Sequence, residues 1–327
     1  MIWPHRELGD IADLQAGAGF PPALQGRLEG ELPLAKVGDI SRAVRAGGIA
    51  FVPPLNYITR AEATDLRAHI FPPGSTVFAK IGEAIAQNYR LFTSCDAAFD
   101  NNVMGAIPRA DLVAPRYLFR FLQTVDLYSY SSKTTVPALR KSDLERIRVP
   151  VPPISEQRRI ADILDKADAI RRKRKQAIAL TEELLRSAFL EMFGDPVTNP
   201  KGLRRLPFAD AALAIIDGDR GRAYPKSEDF TPSGHCLFLS AKNVTARGFD
   251  FSEQQFVNVE RDRALSKGKL ERGDVILTTR GTLGNSAHYS ADVPYEHVRI
   301  NSGMLILRAN ERALLPEFLY FFLRSPH

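Results

Sequence analysis

The feature that most constrains this chain is an uninterrupted helix signal running from Pro152-Pro153-Ile154-Ser155-Glu156-Gln157 to Phe193-Gly194-Asp195-Pro196. Apolar residues recur at Ile160, Ile163, Leu164, Ala167, Ile170, Ala177, Ile178, Leu184, Leu185, Ala188, Phe189 and Met192, a three-and-four spacing that predicts one continuous stripe. No Pro or Gly interrupts it. Ser155 suits an N-cap, Glu156 favours the positive end of the helix dipole, and Gly194 suits a left-handed C-cap with Pro196 barring continuation. At about 1.5 Å per residue, roughly 39 residues make a rod of about 58 Å, longer than a small domain is wide. Such a stripe needs a second long helix or another protein to cover it. The run Arg171-Arg172-Lys173-Arg174-Lys175 wraps the whole circumference, so most of its charges must be solvated or meet acidic groups on a partner.

The sequence on either side of the helix repeats itself. Pro72 to Gly82 lines up with Glu271 to Gly281 at an offset of 199 (Gly74 to Gly273), a Gly turn feeding a short β-branched strand in both copies. Asn101-Asn102-Val103-Met104 then matches Asn301-Ser302-Gly303-Met304, and Pro115 to Leu122 matches Pro316 to Leu323. Upstream, Lys36 to Ile40 falls near Ala241 to Val244. Four matches in one order indicate a duplicated domain far longer than a solenoid repeat. Strands are expected at Val275 to Thr279 and Met304 to Leu307, with a helix at Pro316 to Leu323. The fold class is therefore α+β: two tandem mixed α/β domains, residues 1–150 and 197–327, separated by a long helix within 151–196.

A chain of 327 residues has room for two cores. Its formal charge of +6 permits a polyanionic partner without requiring one. Cys95 and Cys236 cannot make a four-ligand zinc site and read as buried thiols of a reducing compartment. The N-terminus has no apolar signal core and no stretch of about 18 apolar residues occurs, so a cytoplasmic chain with no membrane contact is expected.

Catalytic signatures are missing. There is no GxxxxGK[ST] loop for phosphates, and Gly268-Lys269 has the wrong preceding spacing. Asp217-Gly218-Asp219-Arg220-Gly221 lacks the strand-turn-helix setting of a dinucleotide site and reads as a surface turn. The six histidines show no metal spacing, no Asn or Asp stands before a Pro-Pro-aromatic run, and no GxSxG elbow is present.

Three segments carry a family resemblance: Val151 to Ala161 (VPPISEQRRIA), Leu164-Asp165-Lys166-Ala167-Asp168, and Phe189 to Pro196 (FLEMFGDP). With them the whole chain resembles the specificity subunit of a type I restriction-modification system. The resemblance implies two target recognition domains that each read half of a bipartite, asymmetric site in double-stranded DNA. It also implies a conserved helix that acts as spacer and docks modification subunits. Catalysis would lie elsewhere: S-adenosylmethionine, ATP and Mg are expected on the modification and restriction subunits, with no cofactor and no metal on this chain, and with the restriction subunit reached only indirectly. Against that pattern the second domain is expected to be C-terminally incomplete and to lack the second conserved helix. A homodimer through the central helix, or a truncated decoy awaiting a complementing chain, is then the alternative.

Base edges are read by Arg, Lys, Asn and Gln, and phosphates are held by Lys, Arg, Ser and Thr. On that chemistry the first domain offers Lys36, Lys80, Gln87, Asn88, Arg90, Asn101, Asn102, Lys133, Thr134 and Thr135. The second offers Lys242, Asn243, Thr279, Arg280, Thr282, Asn285, Arg299 and Asn301, with Lys80 paired to Arg280 and Asn101 to Asn301 by the repeat. Gly82 and Gly281 read as turn formers. The docking face is expected at Ile160, Leu164, Ala167, Ile170, Ile178, Leu185, Ala188 and Met192.

Overall fold

Short apolar runs punctuated by Gly, Pro and Asn close, both before and after the helix in the chain, into a four-stranded and a three-stranded sheet accompanied by a two-stranded pair. The computed structural model describes residues 3–51 and 56–325 and divides into two units, residues 1–176 and 177–327. In the first unit lie β1 (Ala12–Ala16), β2 (Leu32–Ala35), α1 (Val37–Arg45), β3 (Asn56–Ile58) and α2 (Arg60–Asp65). They are followed by β4 (Thr76–Ala79), β5 (Leu91–Phe92), β6 (Ala98–Phe99), β7 (Val103–Pro108) and α3 (Pro115–Thr124). Strands β1-β7-β4-β5 form one antiparallel sheet. Strands β3-β2-β6 form another, in which β2 pairs antiparallel with β3 and parallel with β6.

After the long helix α4 (Ile154–Phe193), the second unit contains β8 (Leu213–Asp217), β9 (Cys236–Leu239), β10 (Phe256–Val257) and α5 (Val259–Ala264). It continues with β11 (Val275–Thr278), β12 (Ser286–His288), β13 (Val298–Ile300), β14 (Met304–Ala309) and α6 (Pro316–Arg324). The sheets β8-β14-β11-β12 and β10-β9-β13 have the strand order and pairing senses of the first unit. The repeat seen in the sequence is thus a repeat of topology.

Register refines that repeat. Thr76 faces Ala106 and Val275 faces Leu307, so β4 and β11 correspond at an offset of 199 (76 to 275), whereas β7 and β14 correspond at 201 (106 to 307). Two residue pairings expected from the sequence are corrected. Lys80, whose amide donates to Asn102 O at 2.7 Å, corresponds to Thr279, whose amide donates to Gly303 O at 2.8 Å, and not to Arg280. Asp100 corresponds to Asn301, because each side chain accepts the amide two residues on, at 3.2 and 2.9 Å; Asn101 is one position out. A paired close approach agrees with this register. A Cβ on Gly17 would stand 2.1 Å from Asp100 O, and one on Gly218 would stand 2.2 Å from Asn301 O.

Each unit buries its own core. In the first, Phe71 and Phe99 are fully buried and meet edge-to-face at 5.0 Å, a geometry that adds to the roughly 1.5–3 kcal/mol gained by burying each large apolar side chain. In the second, Leu237, Val298, Ile276 and Ile306 play the same part. Cys236 is buried, its thiol pushed up to about 12 by desolvation, but Cys95 is exposed, contrary to expectation. The segment Asp217 to Gly221, expected as a surface turn, instead closes β8 and continues as irregular backbone that is buried at Gly218 and Asp219. Asp219 is 6% exposed and accepts from the amides of Gly221, Ser266 and Lys267.

The helix begins one turn position earlier than the capping argument predicts. The amides of Glu156 and Gln157 donate to Pro153 O at 2.9 and 3.0 Å, so Ile154 opens α4 and Ser155 lies inside its first turn. Its end is as expected: Gly194 has φ of 79° and donates to Leu190 O at 2.7 Å. The sequence's single stripe divides. Gln157, 1% exposed, accepts from Ala114 N at 2.8 Å and donates to Pro152 O and Leu112 O at 2.8 and 3.2 Å, fixing the helix start to the first unit. Ala161 is buried in that unit's core with Ile160 packed beside it. Arg120 of α3 donates to Asp165 at 2.7 Å and lies 3.5 Å from Asp168, so both acids of the Leu164 to Asp168 motif tie α4 to its neighbour. In the second unit Phe189 is buried against Phe318 at 5.5 Å. Between these anchors Leu164, Ile170, Ile178 and Leu185 are 43–56% exposed, and Met192 near the end is 65% exposed. Ala167 is also exposed, while Ala188 is half-buried. No helix among the described residues is long and apolar enough to cross a membrane.

Candidate nucleic-acid interface

In the second unit three loops converge. The β11-β12 hairpin loop carries Thr279 to Asn285, the turn into β14 carries Asn301 to Gly303, and a short helical turn, Ala241–Asn243, follows β9. Gly281, with φ of 78°, lets the hairpin loop turn back on itself, as Gly82 does in the first unit with φ of 81°. Polar side chains hold the loops together. Thr279 Oγ1 donates to Gly303 O at 3.0 Å, Thr282 Oγ1 to Ala241 O at 3.3 Å, and Asn285 Nδ2 to Val244 O at 3.0 Å. Asn301 Oδ1 accepts the Gly303 amide. These four are the scaffold of the cluster, because each ties at least one side-chain polar atom to backbone.

What the scaffold presents outward is cationic. Arg280 is exposed, and among the described residues no hydrogen bond or ion pair holds its guanidinium. Lys242 is exposed and, among the described residues, pairs only with the equally exposed Glu253 at 2.7 Å, an interaction worth little in water. Leu283, at the loop tip, is 79% exposed and lies outside the polar residue types expected to read bases. An apolar contact to a thymine methyl is a recognised reading mode, so the signal available was a Leu between Thr282 and Gly284 in a tight loop.

Two candidates of this unit are corrected by burial. Asn243 is 3% exposed and bonds to Ser240 N, Asp250 O and Glu253 O, capping the turn that it ends. Arg299 is 5% exposed, with Nε on Asp262 at 2.6 Å and its other nitrogens on Lys267 O, Asp262 O and Leu265 O. A guanidinium so fully used cannot reach a base edge.

In the first unit the strand end at Lys80 lies beside the loop of Ser131 to Leu139. Leu139 N donates to Lys80 O at 2.9 Å, and Gly82 N donates to Pro137 O at 2.8 Å. The backbone of Lys80 to Gly82 is therefore joined to the base of the loop that carries Lys133, Thr134 and Thr135, all three exposed. Thr134 Oγ1 is spent on Val136 O. Gln87 is exposed one turn further on. Lys36 caps a neighbouring edge, its ammonium 2.8 Å from Gln25 Oε1 and over the Phe20 ring at 4.9 Å. Its register partner is Ser240, since Asp39 and Asn243 occupy the same capping position.

Arg90 and Asn88 leave the set. Arg90 is 3% exposed and donates to Tyr89 O, Asn88 Oδ1 and Val125 O; Asn88 also receives the Leu127 amide. Together they clamp the chain after α3. Asn102 is half-buried against Asp100, while Asn101 is exposed. Burial raises the Asp100 carboxyl above its ordinary value despite the hydrogen bonds from Asn102.

The profile of a family described as "Type I restriction modification DNA specificity domain" matches residues 2–180. The chain is 23% identical to the type I restriction enzyme MjaIX specificity subunit of Methanocaldococcus jannaschii, across 98% of this chain and 74% of that one. It is 21% identical to the putative type I restriction enzyme specificity subunit S.HindORF215P of Haemophilus influenzae, across 75% of this chain and 62% of that one. Among solved structures, the type I restriction-modification S subunit from M. genitalium superposes with a TM-score of 0.53 at 15% identity, covering 98% of this chain and 77% of that one. At such identity the likeness is one of fold.

Proposed function

This chain belongs to the type I restriction modification DNA specificity family, and from that premise we propose that it reads a bipartite, asymmetric site in double-stranded DNA, one half with each unit. The observation that carries this reading is the repeated topology, in which each unit ends its larger sheet in a cationic loop cluster: Lys80 with Lys133 in one, Arg280 with Lys242 in the other. The two clusters differ in sequence, so the two half-sites differ. Residues 1–150 and 197–327 are the two readers, and α4 is the spacer that docks modification subunits through its exposed positions Leu164, Ile170, Ile178, Leu185 and Met192. The chain itself carries out no chemistry; S-adenosylmethionine, ATP and Mg act on the partner subunits.

The exposed apolar positions of α4 also favour a second reading, in which a second copy or another chain covers them and this one acts as a half-module or decoy. Co-expression with the cognate modification subunit, followed by sequencing of the host methylome, separates the two. A bipartite methylated motif supports the first, and a stable complex without methylation supports the second. Methyl transfer or DNA cleavage by the purified chain alone would overturn the non-catalytic reading. Leu164→Asp with Leu185→Asp should abolish assembly while both units stay folded by circular dichroism; undiminished assembly would remove α4 from the docking role.

A further inference from the structure

The first unit contains a cleft of about 500 Å³ between the segment following α1 and the middle of α4. Six cations line it, Arg45, Arg90, Arg120, Arg171, Arg172 and Lys175, against a single carboxylate, Asp168. That carboxylate is already shared, lying 2.7 Å from Arg171, 3.3 Å from Arg172 and 3.5 Å from Arg120. Burial alone would raise Asp168, but the hydrogen bond from Arg171 and the charges of Arg172 and Arg120 outweigh it and hold the group below its ordinary value.

Arg120 is also paired with Asp165, whereas among the described residues Arg45, Arg90 and Lys175 have no ion pair. Among the described residues Arg45 reaches only the neutral Gln87 Oε1, at 3.4 Å. Among the described residues no hydrogen bond or ion pair holds the Lys175 ammonium. Arg90 bonds only neutral acceptors, and its buried Nε has none. Desolvation lowers that guanidinium to about 10, and the charge of Asp126 offsets this only in part.

We propose that this cleft is a seat for a DNA backbone phosphate, gripped by Arg45 on one wall and by Arg171 and Lys175 on the other. The proposal rests on the reading of the chain as a DNA-binding subunit. Two observations favour a phosphodiester over an acidic protein surface. Arg45 is bonded to Gln87, an exposed candidate base reader, so a strand that offers a base to Gln87 brings its phosphates to the cleft mouth. None of the described residues lining the cleft is an exposed large hydrophobic, whereas protein interfaces are anchored by such side chains.

The test uses the full chain assembled with its modification subunits and a duplex carrying its methylated motif. Binding is measured across a salt series for the wild type and for Arg45→Ala/Lys175→Ala. Each lost phosphate flattens the slope of log K against log salt by about 0.9, so the double variant, which empties this one seat, should lose roughly one unit, with the motif unchanged and Arg45→Lys/Lys175→Arg restoring most of the slope. An unchanged slope overturns the proposal. So does an altered methylation motif, which would make the cleft a base reader, or loss of subunit assembly at unchanged slope, which would make it a protein contact. A wild-type complex that binds no duplex sinks the DNA-binding reading itself, a result distinct from any of these.

Discussion

The two units share a backbone frame but fill one part of it with opposite chemistry. In the first, Ala63 on α2 and Ala98 on β6 are buried, with Ile70 packed against them. In the second, the corresponding positions are Asp262 on α5, Arg299 on β13 and Lys269, which form a charged network with contacts of 2.5 and 2.6 Å. The correspondence is set by structure. Thr59 and Asn258 cap the two short helices by accepting the third amide, Leu34 faces Ala98 as Phe238 faces Arg299, and Phe71 N and Leu270 N bond the equivalent carbonyls of Ala97 and Val298. The difference teaches that this frame does not depend on an apolar filling. It requires only that the cluster be complete, because a buried ion pair is tolerable when every charge is matched and costly when one is removed.

The sharpest break is therefore Asp262→Ala, which strands Arg299 and should cost roughly 3–5 kcal/mol in denaturant unfolding. Transplanting the first unit's trio, as Asp262→Ala, Arg299→Ala and Lys269→Ile together, should cost far less than the single change. A triple variant as unstable as the single one would show that the charges specify the second unit.

Acid should separate the units next. Burial alone would raise the Asp262 carboxyl, but hydrogen bonds from Lys269 and Arg299 hold it far below its ordinary value. The Gly221 amide, with Ser266 and Lys267, pulls Asp219 to about 2. Stability contributed by depressed carboxyls is present above the unfolded value near 3.8 and is lost as pH falls from there towards 2. Asp100 in the first unit is shifted the other way, so acid relieves its burden. Hydrogen exchange between about pH 4 and 2 should show the second unit's sheets opening first, and the reverse order would contradict this assignment.

A third comparison should show no difference. Gly17→Ala and Gly218→Ala each force a Cβ to within 2.1–2.2 Å of a carbonyl oxygen, and each should cost roughly 1–3 kcal/mol. A clear inequality would mean that the shared frame is looser in one unit. The finest test concerns the loops that differ. Arg280→Ala should relax preference at one base pair of one half-site, by roughly 1–3 kcal/mol for a bidentate contact, and leave the other half-site unaltered. An equal loss on every sequence would reassign Arg280 to a phosphate.

Much of this architecture was legible beforehand because it rests on local rules. Gly194 ends α4 where a left-handed cap was expected, Pro115 and Pro316 open matching helices, and Gly82 and Gly281 make matching turns. The candidate site was less legible. Arg90 and Arg299 have the residue type that reads guanine, but nothing in their neighbours announces that Val125 O or Asp262 will enclose them. Asn88, Asn243 and Asn285 read as base contacts by type and serve as clamps and caps by position. Leu283 escaped notice because its exposure, not its chemistry, is what marks it.

Local sequence alone determined that a long unbroken helix lies between two copies of one domain, since periodicity, caps and turn residues act over a few positions. Only the tertiary structure decided the register between the copies, with Asp100 rather than Asn101 opposite Asn301. It alone decided which cations are free, because burial and pairing arise from segments far apart in the chain. The same holds for the helix. Its apolar positions are plain in the sequence, but their division into residues fixed to each unit and residues left in solvent depends on where Gln157, Arg120 and Phe189 find their partners.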